Sequence, residues 1–336
     1  MRTAFTRLIA AAAVVMLPLA GKAEPLRLKL SFFGSQTLET YKAGVKPFVD
    51  GVNEEGKDLI AIDVFAEGAL GKTIAEQPRI VNEGIADIGW IIPGQTPYRF
   101  PDNAALDHAG LFRDAREGTL IYTRLIAAQA LRGYEDYFVI GAFMPAPNFI
   151  HSRNPIGSLA ALKGQKIRVN NQVEAEMLER LGATPTVMEV SRLAEAMRRG
   201  VIDGVTLAPT ALFQYGVFPF TKYHYLLAGS ASPLLLVMSR RKFDALPEAA
   251  RALIRKFSGE RAAAAWIASF GAGEERFLAK VKSDPDHKVV EPSPADTATA
   301  RQIYQSLTDT WAAENSHNRD IQTMIETGLA EIRAAK

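Results

Sequence analysis

The sequence predicts an α/β protein of two lobes, joined by several crossing strands and a long helix, with a cleft between the lobes. Strand-like and helix-like runs alternate along most of the 336 residues, which is typical of parallel sheets with right-handed helical crossovers. Prolines interrupt the alternation near residue 145, after which it resumes. A late apolar run, residues 233–238, is then expected to return to the first lobe as a strand.

The first lobe is predicted from residues 24–145, with residues 234–273 added later in the chain. The run at 85–92 is mostly apolar, as expected for a strand whose two faces are both covered. Asp114 can cap the helix that follows it. The predicted strands are 26–33, 59–65, 85–92 and 137–144, and the predicted helices are 38–53, 73–82 and 115–131.

The second lobe is predicted from residues 146–233 and 274–336. A single very long helical stretch over 247–282 would join the lobes, with Pro247 in its first turn. Residues 296–334 are expected to be helical again. The predicted strands of this lobe are 149–152, 166–170, 186–189 and 204–208, and its first helices are 173–181 and 191–199.

The amino terminus has the pattern of a secretory signal peptide. Arg2 and Arg7 precede an apolar run at 8–20, and small residues end at Ala23, where cleavage is expected. Thirteen apolar residues are too few to span a bilayer, which takes about 20. A retained signal anchor is the alternative. The sequence therefore predicts that the mature chain is soluble and exported.

Composition excludes several classes of function. The chain has no cysteine, so thiol catalysis and cysteine-ligated metals are excluded and stability must come from a packed core. Three of the 39 basic residues lie in the signal peptide, which leaves 36 against 37 acidic residues. This near balance gives no reason to expect a nucleic acid or an anionic membrane as partner.

The sequence contains no arrangement typical of a catalytic site. It has no Gly-x-Ser-x-Gly elbow and no His-Glu-x-x-His motif, and its five histidines are scattered without metal-ligand spacing. His151 lies near Asn148 and could line the cleft, although a core or surface position is the alternative. We therefore predict no catalytic residue, no metal, no cofactor and no enzymatic activity.

Arg168 is the side chain most suggestive of binding. It lies in a short predicted strand after a polar turn, and ligands of open α/β sheets bind beyond the carboxyl ends of strands. A guanidinium there can hold a carboxylate through two parallel hydrogen bonds. The alternative is a surface arginine in an ordinary salt bridge. Phe32, Phe33 and Trp90 end neighbouring strands and could supply apolar walls, with core packing as their alternative.

Several ordered stretches resemble one family of transport receptors. They include Phe-Ala-Glu-Gly-Ala-Leu-Gly at 65–71, Asn-Glu-Gly-Ile-Ala-Asp-Ile-Gly at 82–89, Leu-Lys-Gly-Gln-Lys-Ile-Arg-Val at 162–169 and Arg-Gly-Val-Ile-Asp-Gly at 199–204. Together they resemble the DctP family, the periplasmic substrate-binding proteins of TRAP (tripartite ATP-independent periplasmic) transporters. The resemblance implies a periplasmic-binding-protein-like fold that closes over an organic acid and delivers it to an ion-gradient-driven membrane permease.

The resemblance also implies roles for particular residues. Arg168 would pair with the substrate carboxylate. Several members carry a second arginine about twenty residues earlier, where this chain has Asn148, and this difference argues against a dicarboxylate. The substrate is therefore predicted to be a monocarboxylate with an apolar or aromatic tail. The apolar walls are expected from Phe33, Trp90, Ile92, Leu207 and Phe213.

Two other functions fit the same two-lobed plan. One is the solute-binding protein of an ATP-driven importer, and the other is an exported enzyme on the same fold. Genes for a membrane pair or for an ATPase beside this one would separate the two transport alternatives. An enzyme would release its ligand chemically changed, whereas a receptor returns it intact.

Overall fold

The computed structural model describes residues 24–335, apart from the side chains at positions 272, 274, 275 and 278. The predicted signal peptide and its cleavage site lie outside these residues. In chain order the strands are β1 (Leu26–Ser31), β2 (Ile60–Phe65), β3 (Ile88–Ile91), β4 (Tyr137–Phe143), β5 (Phe149–Ser152), β6 (Lys166–Val169), β7 (Thr184–Val187), β8 (Gly204–Leu207), β9 (Tyr223–Tyr225), β10 (Leu234–Ser239) and β11 (Lys288–Val290).

The α-helices surround two separate sheets. They are α1 (Lys46–Glu55), α2 (Gln77–Asn82), α3 (Ala104–Asp107), α4 (Ala115–Ala127), α5 (Gln172–Arg180), α6 (Leu193–Arg198), α7 (Pro209–Gln214), α8 (Arg240–Asp244), α9 (Glu248–Lys256), α10 (Glu260–Ser283), α11 (Pro294–Ala313) and α12 (Ser316–Ala334). Within residues 24–335, no helix combines the length and the apolar character needed to cross a membrane.

The first lobe is built on a five-stranded sheet in the order β2-β1-β3-β10-β4. β1 is parallel to β2 and β3, while β10 runs antiparallel between β3 and β4. β10 thus brings the chain back to the sheet of β1 to β4. Leu234 and Leu236 of β10 face one core and Leu235 and Val237 the other, which explains why this central strand is apolar at successive positions.

The second lobe is built on a six-stranded sheet in the order β11-β9-β5-β8-β6-β7. β6 is parallel to β7 and β8, and β5 is antiparallel to β8 and β9. Ile167 and Val169 of β6 belong to the core beneath α5 and α11. Because side chains alternate along a strand, Arg168 between them is directed to the opposite face.

Two helical stretches are divided where the sequence was expected to continue. The predicted helix 247–282 consists of α9 and α10, separated at Gly259, whose φ of 61° lies in the left-handed region that favours glycine. The predicted helix 296–334 consists of α11 and α12, because Asn315 caps α12 by accepting from Asn318 N at 2.9 Å. The expected cap at Asp114 is confirmed, since its Oδ1 accepts from Glu117 N.

α10 is the long helix shared by the two lobes. Its first half packs with Trp90 and Phe143 through Trp266, and its second half enters the second-lobe core through Phe277. The sequence predicts that all of residues 274–336 belong to the second lobe. The structure instead packs α12 against α4 of the first lobe, because its apolar stripe, Ile321, Ile325, Leu329 and Ile332, fits that core.

Candidate functional site

A cavity lies between the lobes, beyond the carboxyl ends of β3, β6 and β8. The space free of protein atoms here is about 480 Å³, a volume that includes open solvent at the mouth of the cavity. Its position is the one expected for a ligand site in open α/β sheets. The lining residues are Thr40, Ile92, Pro145, Asn148, Arg168, Asn170, Val190, Leu207, Ala208, Ala211, Gln214, Tyr215, Ser232, Leu234 and Phe270.

Arg168 is the buried cation of this cavity, with only 1% of its surface exposed. Its Nε donates to Met188 O at 2.7 Å and one Nη donates to Asn170 Oδ1 at 3.3 Å. These two bonds fix the plane of the guanidinium and leave further N–H groups for a ligand. Among the residues of the described chain, no carboxylate lies within 4.0 Å of it. Burial lowers the pKa of Arg168 to about 10, so the group stays charged at neutral pH.

Glu174 is the nearest source of compensating charge. It is buried in the first turn of α5, and its charge acts to raise the pKa of Arg168 against the effect of burial. Its carboxylate accepts from Asn148 Nδ2 at 2.9 Å, from Ser230 Oγ at 2.8 Å and from Asn170 N at 2.7 Å. Glu174 therefore positions two residues that line the cavity.

Sequence reasoning did not select Glu174 or Asn170. A signal for both was present, because Asn171 followed three residues later by Glu174 is a capping pattern at a helix start. Asn171 Oδ1 does accept from Glu174 N at 3.0 Å. This cap comes directly after the Arg168 strand, so its polar side chains lie at the strand end where a ligand would bind.

Two side-chain amides connect the lobes around the cavity. Gln95, in a short 3₁₀ helix after β3, donates from Nε2 to both the side-chain and backbone oxygens of Asn170 at 2.6 Å. Gln214, at the end of α7, lies against the backbone N–H groups of Glu39 and Thr40 of the first lobe. Its amide is assigned with the oxygen toward them, because only that orientation lets it accept from both, at 3.0 and 3.2 Å. Both bridges join the first lobe to the second lobe beside the cavity.

The structure separates the predicted wall residues into two groups. Ile92 and Leu207 line the cavity beside Arg168 and Asn148. Trp90 lies instead in the first-lobe core, stacked on Phe143 with ring centroids 5.6 Å apart. Phe32 is fully buried in the same core, and Phe33 packs against the cores of both lobes.

Phe213 also lies away from this cavity. It lines a separate outer cavity together with Arg276 and Lys280, and its ring packs 4.5 Å from that of Phe218. Gln214 borders both cavities. The hydrogen bonds from Gln214 to the first lobe therefore lie between the cavity that contains Arg168 and the cavity that contains Phe213.

His151 belongs to a buried row of three imidazoles and is not a lining residue of the cavity. Its Nδ1 lies 2.9 Å from His224 Nδ1, and His224 Nε2 lies 2.8 Å from His287 Nδ1. Burial lowers the pKa of His151 to about 4 and that of His224 to about 2. These rings are therefore neutral at physiological pH. Within residues 24–335, no group of three potential ligand side chains is placed to hold a metal ion.

Comparison with known proteins identifies the family. Residues 34–315 match the DctP family, described as "Bacterial extracellular solute-binding protein, family 7". The chain belongs to this family. Members of the DctP family are solute-binding receptors located outside the cytoplasm and are not enzymes. The sequence-based identification of the family and of the two-lobed fold is thus confirmed.

Individual relatives cover most of this DctP chain. The 2,3-diketo-L-gulonate-binding periplasmic protein YiaO of Escherichia coli is 32% identical over 243 residues, which are 66% of this chain and 70% of that protein. A TRAP solute-binding protein from a marine metagenome, specific for aromatic acid ligands, was solved with 3-hydroxybenzoate. It is 25% identical with a TM-score of 0.83, covering 92% of this chain and 99% of that chain.

A second solved structure supports the same fold. It is a TRAP solute-binding protein from Rhodoferax ferrireducens, in complex with copurified benzoate. It has a TM-score of 0.82 at 22% identity and covers 93% of this chain and 100% of that chain. At this identity the likeness concerns the fold alone. The solved relatives and this chain thus share the two-lobed architecture.

Proposed function

We propose that this protein is the periplasmic receptor of a TRAP transporter and that it binds an aromatic or similarly apolar monocarboxylate. The observation that carries the proposal is the Arg168 guanidinium, buried against the interlobe cavity with no carboxylate partner among residues 24–335. A buried cation is costly unless it is paired. An organic anion that entered the cavity would supply the missing partner.

The walls of the cavity favour an apolar tail. Ile92, Val190, Leu207, Leu234 and Phe270 surround the space on both sides. Small-molecule sites combine such walls with a few placed polar groups. The marine relative that is specific for aromatic acids binds a ligand of this class. Its ligand supports an aromatic acid for this chain as well.

The proposed transport cycle uses the two lobes as a clamp. Closure around a ligand is the common motion of two-lobed binding proteins. The Gln95–Asn170 and Gln214–Thr40 bridges would form as the lobes close over the bound acid. The closed receptor would then deliver its ligand to the membrane permease, which is driven by an ion gradient.

The Arg168 variants test the proposal. Arg168→Ala should weaken binding of benzoate by about 100-fold or more, because a charge-assisted hydrogen bond contributes about 1.5–3 kcal/mol and its loss leaves the ligand carboxylate unpaired. Arg168→Lys should recover only part of the affinity, since an ammonium cannot make the two-pronged contact. Isothermal titration calorimetry measures all three dissociation constants.

The ligands for this test are first identified with the wild-type protein. A thermal-shift screen of organic acids first identifies ligands that raise its melting temperature, with neutral sugars and organic cations as matched negatives. Equal affinity in wild type, Arg168→Ala and Arg168→Lys would remove Arg168 from the site. An absence of any monocarboxylate ligand would overturn the proposed function.

A further inference from the structure

We infer that Asn148 presents its side-chain oxygen to the cavity as a hydrogen-bond acceptor, so that the site selects a monocarboxylate with a hydroxyl or N–H donor on its apolar tail. This inference rests on the proposed function and sharpens its substrate class. Asn148 is then a specificity-determining residue, and its role depends on the buried carboxylate behind it.

The orientation of the Asn148 amide is fixed by Glu174. The Nδ2 of Asn148 lies 2.9 Å from Glu174 Oε1. Glu174 also accepts from Ser230 Oγ and from the backbone N–H of Asn170. Three converging donors are the environment of an ionised carboxylate, which can only accept. The group that Asn148 turns toward Glu174 must therefore be its NH₂.

The backbone of Asn148 is also held in place. Its N–H donates to Ser230 O at 2.7 Å, and its carbonyl accepts from Gly229 N at 3.0 Å. Neither main-chain group is free to contact a ligand, and the residue cannot rotate away without breaking these bonds. The side-chain oxygen is then the one acceptor of Asn148 left for a ligand, beside the second N–H of its amide nitrogen.

That oxygen faces the ligand space. Asn148 lines the cavity and is 4% exposed, and no donor within the described part of the chain bonds its Oδ1. A desolvated acceptor that stays unpaired when a ligand fills the cavity weakens binding. A ligand that places a donor there therefore binds more tightly than one that does not.

The other polar side chains of the cavity have different chemistry. Arg168 can only donate. Asn170 Oδ1 already accepts from Gln95 and Arg168, which leaves its unpartnered Nδ2 as a donor. In its assigned orientation, the Gln214 side-chain oxygen accepts hydrogen bonds from the first lobe, and its NH₂ points away from that lobe.

The remaining polar side chains, Thr40, Tyr215 and Ser232, carry hydroxyls that can either donate or accept. Among the lining side chains that the structure describes, Asn148 therefore holds the sole obligatory acceptor. The donors suit the carboxylate of the ligand. The acceptor suits a neutral donor group elsewhere on it, and it disfavours a second carboxylate through repulsion between like partial charges.

Calorimetry with matched benzoates tests the inference. The probes are benzoate, the three hydroxybenzoates, the three methoxybenzoates and the benzenedicarboxylates, each titrated into wild-type protein. A methoxy group keeps the oxygen and the ring but has no donor. We expect at least one hydroxybenzoate to bind about 10-fold more tightly than both its methoxy counterpart and benzoate, and the dicarboxylates to bind more weakly than benzoate.

Two variants ask whether Asn148 is the cause. Asn148→Ala removes the acceptor, so the ratio of hydroxy to methoxy affinity should fall to about 1 from about 10. Glu174→Gln keeps the side-chain volume, but the new glutamine can donate as well as accept. The Asn148 oxygen can then accept from this glutamine, so that the NH₂ of Asn148 turns to the cavity. The same ratio should then fall, even where Asn148→Ala does not fold. Circular dichroism melting establishes that each titrated variant is folded.

The outcomes separate this inference from the proposed function. If no benzoate of any kind binds the wild-type protein, the proposed aromatic-acid function fails. If the benzoates bind but hydroxy and methoxy forms differ by less than about twofold, the inference about Asn148 fails and the function stands. A preference that persists undiminished in a folded Asn148→Ala protein also overturns the inference.

Discussion

The two lobes contribute different kinds of buried side chains around the cavity. The first lobe places Trp90, Phe143 and Trp266 in a core behind the cavity wall, where their rings pack together, and only Phe270 of this aromatic core, among residues 24–335, reaches the lining. The second lobe buries charged and amide side chains at its strand ends, with Arg168 and Glu174 both about 1% exposed. The first lobe thus supplies rigid shape, and the second supplies the chemistry that recognises a solute.

This division explains why aromatic residues at strand ends need not contact ligand. A tryptophan at the end of β3 buries far more apolar surface in a core than at the edge of a small cavity. Buried polar groups behave differently, because each needs a partner. Unsatisfied capacity in the second lobe, such as the unpartnered Nδ2 of Asn170, is therefore the better guide to the binding site.

Trp90→Ala is expected to have the largest effect, and on stability rather than on specificity. Removing a fully buried aromatic side chain destabilises a protein by about 3–5 kcal/mol, and Trp90 is 1% exposed. Denaturant unfolding measures the change in free energy, with Trp90→Phe as the matched, milder variant. Among the variants that stay folded, the order of affinities for different organic acids should be unchanged. A changed order of affinities would contradict the view that the first lobe supplies shape while the second lobe recognises the solute.

Acidification is expected to have the next largest effect, through the imidazoles of the second lobe. An ordinary histidine has a pKa near 6.5, while burial lowers that of His151 to about 4. Between these values the unfolded chain binds protons that the folded chain does not. Stability is therefore full above about pH 6.5 and falls as the pH is lowered toward 4, by about 2 kcal/mol per buried histidine at pH 5.

The measurement is the free energy of unfolding from pH 7.5 to 4.5. His151→Gln should flatten the decline because glutamine does not titrate. If His151→Gln leaves the pH profile of wild type unaltered, the row His151–His224–His287 does not determine acid stability.

The fold was largely predictable from the sequence, because it follows from periodicity. The apolar run at 233–238 was predicted to be a strand of the first lobe, and β10 is buried at every position. The sequence analysis missed the helix breaks at Gly259 and Asn315. Each break depends on one residue, because Gly259 has a positive φ and Asn315 caps α12. The position of α12 on the first lobe was also missed, because an apolar stripe does not specify which core it joins.

The site was predictable only in part, because ligand-lining residues converge from distant segments. Arg168 and Asn148 came from strand ends and from the family resemblance, and both line the cavity. Glu174 was invisible as a partner of Asn148, 26 residues away in sequence. The bridges made by Gln95 and Gln214 were also invisible, since they depend on how the lobes close. Sequence periodicity carries no information on that closure.

Gln214→Ala is expected to have the smallest effect and to sharpen the comparison at the boundary between the lobes. The side chain accepts two backbone hydrogen bonds from the first lobe, each worth about 0.5–1.5 kcal/mol net. Under the proposed cycle these bonds form as the lobes close over the ligand, so their loss should raise the dissociation rate of a bound acid by about 10-fold, with little change in the association rate. Stopped-flow fluorescence measures both rates, and Gln305→Ala, an exposed glutamine on α11, is the matched control. An unchanged dissociation rate would mean that the Gln95–Asn170 bridge, together with the ligand itself, is enough to keep the lobes closed.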